Sequence, residues 1–167
     1  FRIMRHLAPK WFNRTFRFDV MSIAEIMAKY IEEKAVKLDP SRNFGIVTYT
    51  DPCHLGRNGG IYEEPRIILD KVVEEFRELT PNREYSWCCG GGGGLLVIPE
   101  FKELRMKTGK RKVEQIRKTE AKIVTSLCES CRLQLADLND YYKLGLQVAS
   151  LTDLVANAII QPSGSRR

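Results

Sequence analysis

The chain has 167 residues, of which 43% are apolar and 29% are charged, and its formal net charge is +6. Such a chain is long enough for one globular domain with a substantial core. No apolar run approaches the roughly 20 residues that a membrane-crossing helix needs, and no stretch resembles a signal peptide. We therefore expect a cytoplasmic protein that is associated with a membrane only through a partner.

Residues 1–43 are predicted to form a connecting segment followed by one helix. The segment 1–19 mixes basic and aromatic side chains without a repeat or a recognised nucleic-acid-binding module. We expect it to pack on a neighbouring domain or protein and expect no nucleic acid as a partner. Ser22 and Glu25 have the spacing of a capping box at the start of a helix. The apolar face of that helix is predicted to contain Ile23, Met27, Tyr30 and Ile31.

Between residues 44 and 160, patterns typical of strands alternate with patterns typical of helices. The strands are predicted at 44–50, 84–87, 121–127 and 145–149, and the helices at 65–79, 99–120, 129–142 and 151–160. This alternation predicts an α/β fold with a mostly parallel sheet and flanking helices. In such folds, ligands bind at the carboxyl ends of the strands. Residues 161–167 are expected to form a frayed tail.

The helix predicted at 99–120 is strongly basic. We expect a break near Gly109, because glycine is a poor helix former. The charged run from Lys102 to Lys118 is expected to face solvent.

All five cysteines follow predicted strands. Cys88 and Cys89 are adjacent and run directly into five glycines; 34 residues separate Cys53 from Cys88, and 38 separate Cys89 from the C-x-x-C pair Cys128 and Cys131. An odd number of cysteines does not suit a disulfide framework, and a core of this size does not need one. Because the carboxyl ends of parallel strands meet at one edge, we expect the five thiols to converge and to bind a metal centre.

Two kinds of metal centre use such ligands. Thiolates hold iron–sulfur clusters, and a site that draws on three loops can enclose a polynuclear centre. Zinc would take four thiolates and leave the fifth free, and paired zinc knuckles would need a second C-x-x-C. The glycine run, in which Gly90, Gly91 and Gly92 come first, favours the cluster because successive N–H groups in a nest can donate to anionic sulfur. We therefore favour an iron–sulfur cluster and keep zinc as the alternative.

The order of the cysteines resembles the signature of the cysteine-rich CCG domain of heterodisulfide reductases and their relatives. The signature is a cysteine, then Cys-Cys-Gly at 88–90, then Cys-x-x-Cys at 128–131, and residues 51–57 are similar to the first motif of that family. The resemblance covers about residues 44–160, which we expect to form a CCG iron–sulfur domain. It implies a noncubane [4Fe–4S] cluster whose ligands are Cys53, Cys88, Cys89, Cys128 and Cys131.

The resemblance also implies a function. We expect an oxidoreductase that reduces or forms a disulfide or trisulfide at the cluster, as the catalytic part of a heterodisulfide reductase-like electron-transfer complex. The implied partners are a thiol or disulfide substrate, either small or carried on a protein arm, an iron–sulfur electron donor and a membrane-bound redox subunit. One alternative is a CCG subunit of a complex that oxidises a hydroxy acid or glycerol phosphate. The other is a zinc-stabilised interaction module without chemistry.

The chain departs from some members of that family in two ways. It contains one CCG motif where some members carry two, and it lacks the ferredoxin-like cysteine runs that hold cubane clusters. We expect both differences because the chain is similar to the C-terminal part of longer proteins, such as the D subunit of heterodisulfide reductase and the K subunit of the sulfite-reduction-associated membrane complex.

Two polar residues near Cys53 are candidate catalytic residues. His54 is expected to donate a proton or a hydrogen bond rather than to bind metal, because five thiolates already suffice. Arg57 is expected to orient a carboxylate or a partner peptide, or to neutralise the cluster.

Overall fold

The computed structural model describes residues 1–161 and contains a four-stranded sheet in which all neighbouring strands are parallel. The strands are β1 (Ile46–Tyr49), β2 (Glu75–Phe76), β3 (Ile123–Ser126) and β4 (Gln147–Ser150), in the spatial order β2-β1-β3-β4. The predicted α/β fold is confirmed. The predicted tail at 161–167 lies, beyond Gln161, outside the described residues.

Helices cover both faces of the sheet. The helices are α1 (Ala8–Trp11), α2 (Ile23–Glu32), α3 (Glu64–Val72), α4 (Lys102–Arg117), α5 (Glu129–Tyr142) and α6 (Leu151–Ala158). Because side chains alternate along a strand, Val47 and Ile123 pack with α2, α3 and α6, whereas Val124 packs with α4 and α5 on the opposite face. The sheet is therefore buried on both faces, as parallel sheets usually are.

Several elements lie where the sequence predicts them. β1, β3 and β4 overlap the predicted strands, α5 has the predicted bounds, and α6 begins at the predicted residue. The capping box of α2 is formed: the Glu25 N–H donates to Ser22 Oγ at 3.3 Å, and the Ser22 N–H donates to Glu25 Oε2 at 2.7 Å.

The predicted apolar face of α2 is partly wrong. Ile23 and Tyr30 are each 52% exposed, and the buried residues of the helix are Ala24, Ala28 and Ile31. α2 packs against α3, and small alanine side chains allow two helices to approach closely.

The region between β1 and the cysteine pair also differs from the prediction. α3 ends at Val72, and β2 begins at Glu75, inside the range predicted as helix. The strand predicted at 84–87 is not formed; the chain makes a 3-10 turn at Arg83–Tyr85 instead. A strand of two residues is too short to show the alternation that identifies strands in a sequence, so the helical pattern of α3 conceals β2.

α4 is continuous through Gly109, so the predicted break is wrong. The prediction that the basic run faces solvent is also wrong in part, because Arg105 is 4% exposed and Lys112 is fully buried. Helical periodicity places both side chains on the face of α4 that points to the protein interior.

Residues 1–19 lie mostly at the surface. Trp11 and Phe12 are each about two-thirds exposed, at 65% and 67%. Arg5 makes an ion pair with Glu25 of α2, which connects the segment to the rest of the fold. No helix within the described residues is both long and apolar enough to cross a bilayer.

Asn43 connects the end of α3 to α6. Its buried side chain donates from Nδ2 to the carbonyl oxygens of Val72 (2.7 Å) and Leu154 (2.8 Å), and its Oδ1 accepts from Asn157 at 2.9 Å. Val72 is the last residue of α3, so its carbonyl has no partner within the helix, and Asn43 satisfies it.

Replacing Asn43 with alanine is expected to lower the free energy of unfolding by about 1–3 kcal/mol, because the Val72 carbonyl at the end of α3 loses its donor. Chemical denaturation of the purified chain measures this loss. Asn58→Ala is the matched control, since Asn58 is exposed, and it should change stability by less than about 0.5 kcal/mol. Equal stability of the two variants would contradict this role for Asn43.

Candidate metal centre

The loops that follow three parallel strands carry the five cysteines. Cys53 follows β1, and Cys128 follows β3 as the residue that caps α5, with Cys131 in the first turn of that helix. Cys88 and Cys89 lie in the long segment between β2 and α4. This is the carboxyl edge of the sheet, where α/β folds bind ligands.

The structure brings cysteine sulfurs from different loops into contact. The Sγ atoms of Cys89 and Cys131 are 3.3 Å apart, and Cys131 is also hydrogen-bonded to Cys128. Cys53 lies near enough to Cys88 for its charge to help raise the pKa of the Cys88 thiol. All five thiols are free: Cys89 and Cys131 are buried, Cys53 and Cys128 are half-buried, and Cys88 is exposed.

Two cysteines in this group favour the thiolate form. A hydrogen bond from Cys131 lowers the pKa of Cys89 to about 3, with further contributions from Cys88, the Gly91 N–H and the charge of Lys112. The pKa of Cys128 falls to about 6, because Cys131 and the backbone N–H groups of Ser130 and Cys131 donate to its sulfur. The pKa values of Cys88 and Cys131 are raised, since each shares its proton with a neighbouring sulfur. The surroundings of these cysteines thus favour anionic sulfur.

The glycine run supplies backbone donors to these sulfurs. The Gly90 N–H donates to Cys88 Sγ at 3.4 Å, and the Gly91 N–H donates to Cys89. Gly90 has φ 88° and Gly92 has φ 58°, both in the left-handed region that glycine adopts without strain. The N–H groups of Gly90 and Gly91 therefore donate to sulfur, which is the geometry of an anion-binding nest.

Gly109 of α4 allows the cysteine loop to approach the helix. A Cβ atom at Gly109 would lie 2.6 Å from Leu138 Cδ2 and 3.2 Å from the carbonyl oxygen of Cys89. On the other side, a Cβ atom at Gly90 would lie 3.0 Å from the Gly109 nitrogen. The two glycines face each other, so the backbone of the cysteine loop contacts the backbone of α4 directly.

A buried ion-pair network holds the segment that leads into the cysteine pair, on the side away from Gly90. The Arg66 guanidinium donates to both carboxylate oxygens of Asp51, at 2.6 and 2.9 Å, and to Glu78 at 2.8 Å. Asp51 also accepts from the Arg83 N–H at 2.8 Å, which fixes the turn that precedes the cysteine pair. No local sequence pattern identifies this network, although Asp51 stands next to Pro52 and Cys53 in the first cysteine motif.

Two cations hold Ser86, two residues before Cys88. Arg57 NH1 donates to the carbonyl oxygens of Ser86 (2.9 Å) and Glu84 (3.3 Å), and Lys112 Nζ lies 3.4 Å from Ser86 Oγ. Arg57, a candidate catalytic residue, thus contacts the loop that carries the cysteine pair. His54, the other candidate, is exposed beside Cys53.

An open groove of about 510 Å³ lies next to Cys88. Its lining includes Arg57, Trp87 and Arg111, and the Arg111 guanidinium is 5.6 Å from the centre of the Trp87 ring. The exposed thiol is therefore reached from solvent through a surface that carries two positive charges.

The donor set fits a polynuclear centre. Within residues 1–161, no three cysteine, histidine, aspartate or glutamate side chains are placed so that they could hold one metal ion. The ligands of a cluster bind different metal atoms and need not converge on one point. Cysteine thiolates are the ligands of iron–sulfur clusters, and backbone N–H donors and the space beside Cys88 suit such a centre.

The sequence profile of a cysteine-rich domain family, CCG, matches residues 47–136. The chain is 34% identical over 153 residues to the D subunit of the dihydromethanophenazine:CoB–CoM heterodisulfide reductase of Methanosarcina mazei, covering 90% of this chain and 36% of that protein. It is 32% identical over 145 residues to an Hdr-like menaquinol oxidoreductase iron–sulfur subunit of Archaeoglobus profundus, covering 83% and 26%.

A third relative is the B subunit of the fumarate reductase (CoM/CoB) of Methanothermobacter marburgensis, 36% identical over 140 residues, which are 82% of this chain and 27% of that protein. The chain thus spans between about a quarter and about a third of the length of these relatives. All three are subunits of reductases or oxidoreductases.

Replacing Gly109 with alanine tests the close contact between α4 and the cysteine loop. Alanine favours a helix by about 1 kcal/mol, but forcing a methyl group against Leu138 and Cys89 costs about 1–3 kcal/mol. We expect a net loss of up to about 2 kcal/mol in the free energy of unfolding, measured by denaturation. Gly94→Ala is the control, because a Cβ atom there meets open space. A Gly109→Ala protein more stable than wild type would show that α4 and the cysteine loop leave room for a methyl group at Gly109, which would contradict the close contact.

Proposed function

Because the chain belongs to the cysteine-rich CCG family, we propose that its five cysteines hold a noncubane [4Fe–4S] cluster at which a disulfide or trisulfide is reduced or formed. Its relatives include reductase and oxidoreductase subunits, one of them named as an iron–sulfur subunit, which supports a redox role for an iron–sulfur cluster. The observation that carries the proposal is the contact of Cys89 with Cys131, from separate loops, at 3.3 Å.

The chain's own residues prepare the ligands for this role. Cys89 and Cys128 favour the thiolate form, which is the form that binds metal, and Gly90 and Gly91 direct N–H groups at sulfur. Residues that contact the sulfurs of a cluster in this way influence its reduction potential. When bound, the cluster would supply single electrons and iron that binds sulfur.

The groove beside Cys88 is the proposed path of the substrate. Arg57 and Arg111 favour an anionic molecule, and the exposed face of Trp87 can pack against its apolar part. A disulfide carried on a protein arm would enter the same open groove as a small one. His54, exposed beside Cys53, is the proposed proton donor to the thiolate product.

The proposed partners follow from the same site. An iron–sulfur domain or subunit would deliver the electrons. A membrane-bound redox subunit would connect the chain, which we propose to be cytoplasmic, to a membrane. The exposed aromatic residues Trp11 and Phe12, in a segment with several basic side chains, are the proposed docking site for such a partner.

The proposed chemistry is tested with thiols and the cluster-loaded chain. The thiols CoM and CoB, after which the Methanosarcina relative is named, are suitable probes. Oxidising the protein in the presence of a cognate thiol should change the paramagnetic spectrum of the cluster. Labelling the thiol sulfur with an isotope that has nuclear spin should broaden that spectrum. S-methylated versions of the same thiols are the control and should have no effect.

If no thiol changes the paramagnetic spectrum of the cluster while the electron-transfer complex that contains the chain still reduces disulfide, disulfide reduction takes place at another site. The cluster would then only relay electrons, and the disulfide proposal for this chain would be wrong.

A further inference from the structure

Lys112 is a buried cation in a basic run whose sequence predicts a solvent-facing surface. Its side chain is fully buried on the inner face of α4, and burial lowers its pKa to about 8. Burying an ammonium group is costly unless an opposite charge compensates it. A lysine at this position therefore needs a physical explanation.

The direct contacts of Lys112 do not provide that compensation. Nζ donates to Gln115 Oε1 at 2.7 Å and lies 3.4 Å from Ser86 Oγ, and both acceptors are neutral. Among the described residues, the nearby carboxylate of Asp51 is already engaged by both terminal nitrogens of Arg66. Lys112 makes no ion pair in the described part of the chain.

The cysteine centre is the strongest source of negative charge near Lys112. Of the groups that attract the Lys112 ammonium, Cys89 acts most strongly, Asp51 follows, and Cys131 and Cys88 act more weakly.

The geometry agrees: Lys112 lies about one turn after Gly109, where the backbone of Cys89 and Gly90 packs on α4. Its Nζ reaches Ser86, which precedes the cysteine pair. The interior between Lys112 and the cysteine pair is poorly screened, so the interaction is stronger than one at the surface.

Other cations near the site are placed differently. Arg57 and Arg111 line the groove beside Cys88, where solvent and salt screen their charges. Lys112 approaches from the protein interior and does not line that groove. It can therefore act on the centre continuously without contacting substrate.

We propose that Lys112 is a positioning residue whose buried ammonium is the internal counter-charge of the cluster and stabilises its reduced form. The proposal rests on the cluster assignment made above. An added electron increases the negative charge of the centre, and a fixed cation behind it makes that step more favourable. Lys112 thus helps to set the potential at which the centre accepts electrons.

The test compares midpoint potentials of the cluster in the loaded chain, measured by redox titration. Lys112→Met removes the charge and keeps much of the side-chain volume. We expect the ratio of reduced to oxidised cluster at a fixed potential to fall at least about tenfold, which is about 59 mV for a one-electron couple. Lys112→Arg keeps the charge and should stay within about threefold of wild type.

Lys110→Met is the matched control. Lys110 is exposed on the same helix, so removing its screened charge should change the ratio by less than about twofold. If Lys112→Met does not accept the cluster, Gln115→Glu provides a second route, because it places a carboxylate beside Nζ and neutralises the ammonium. It should shift the ratio in the same direction.

The proposal would be overturned if the Lys112→Met cluster had the wild-type midpoint potential, or if Lys112→Arg shifted that potential as far as Lys112→Met does. Where Gln115→Glu is needed, a wild-type midpoint potential in that variant would also overturn it. A different observation would show that the cluster assignment itself is wrong. A wild-type chain that takes up no iron and sulfide would remove both proposals, whereas a loaded chain insensitive to Lys112 would remove only this one.

Discussion

Negative charge at closely spaced sulfurs is the constraint on which this structure depends. Thiolates that touch one another repel, so the protein must supply shared protons, N–H donors and cations around them. Cys131 lies between Cys89 and Cys128 and shares its proton with both. The glycine N–H groups approach from one side, and the buried Lys112 acts from the side of α4. The same arrangement that tolerates thiolates suits an anionic cluster.

The rest of the fold holds the loops that carry these sulfurs. A parallel sheet brings the ends of β1, β2 and β3 to one edge, but the segment after β2 is long and has little regular structure before α4. Arg66 anchors it through Asp51, and the contact of Gly109 with the cysteine pair fixes its other end. Both anchors are buried, so the site depends on interior packing as much as on the cysteines.

Much of this could be predicted from the sequence, because periodicity and cysteine spacing are local signals. The alternation of β1, β3 and β4 with helices is sufficient to predict the fold class, and the five cysteines are candidate ligands from their spacing alone. The sequence does not reveal β2, because two residues show no pattern and the pairing of β2 with β1 is a tertiary contact. The roles of Lys112 and Gly109 are hidden for a related reason: both depend on a distant loop that packs on α4.

Metal and sulfide analysis of the anaerobically reconstituted chain and of its five single Cys→Ser variants tests the central claim most directly. If all five thiols hold one cluster, the wild type should contain iron and acid-labile sulfide in equal amounts. Each variant should have an altered or lost cluster spectrum, because a hydroxyl is a poorer ligand for iron than a thiolate. A folded Cys89→Ser protein with the wild-type spectrum would contradict the five-ligand site, and a colourless wild type with stoichiometric zinc would contradict the cluster itself.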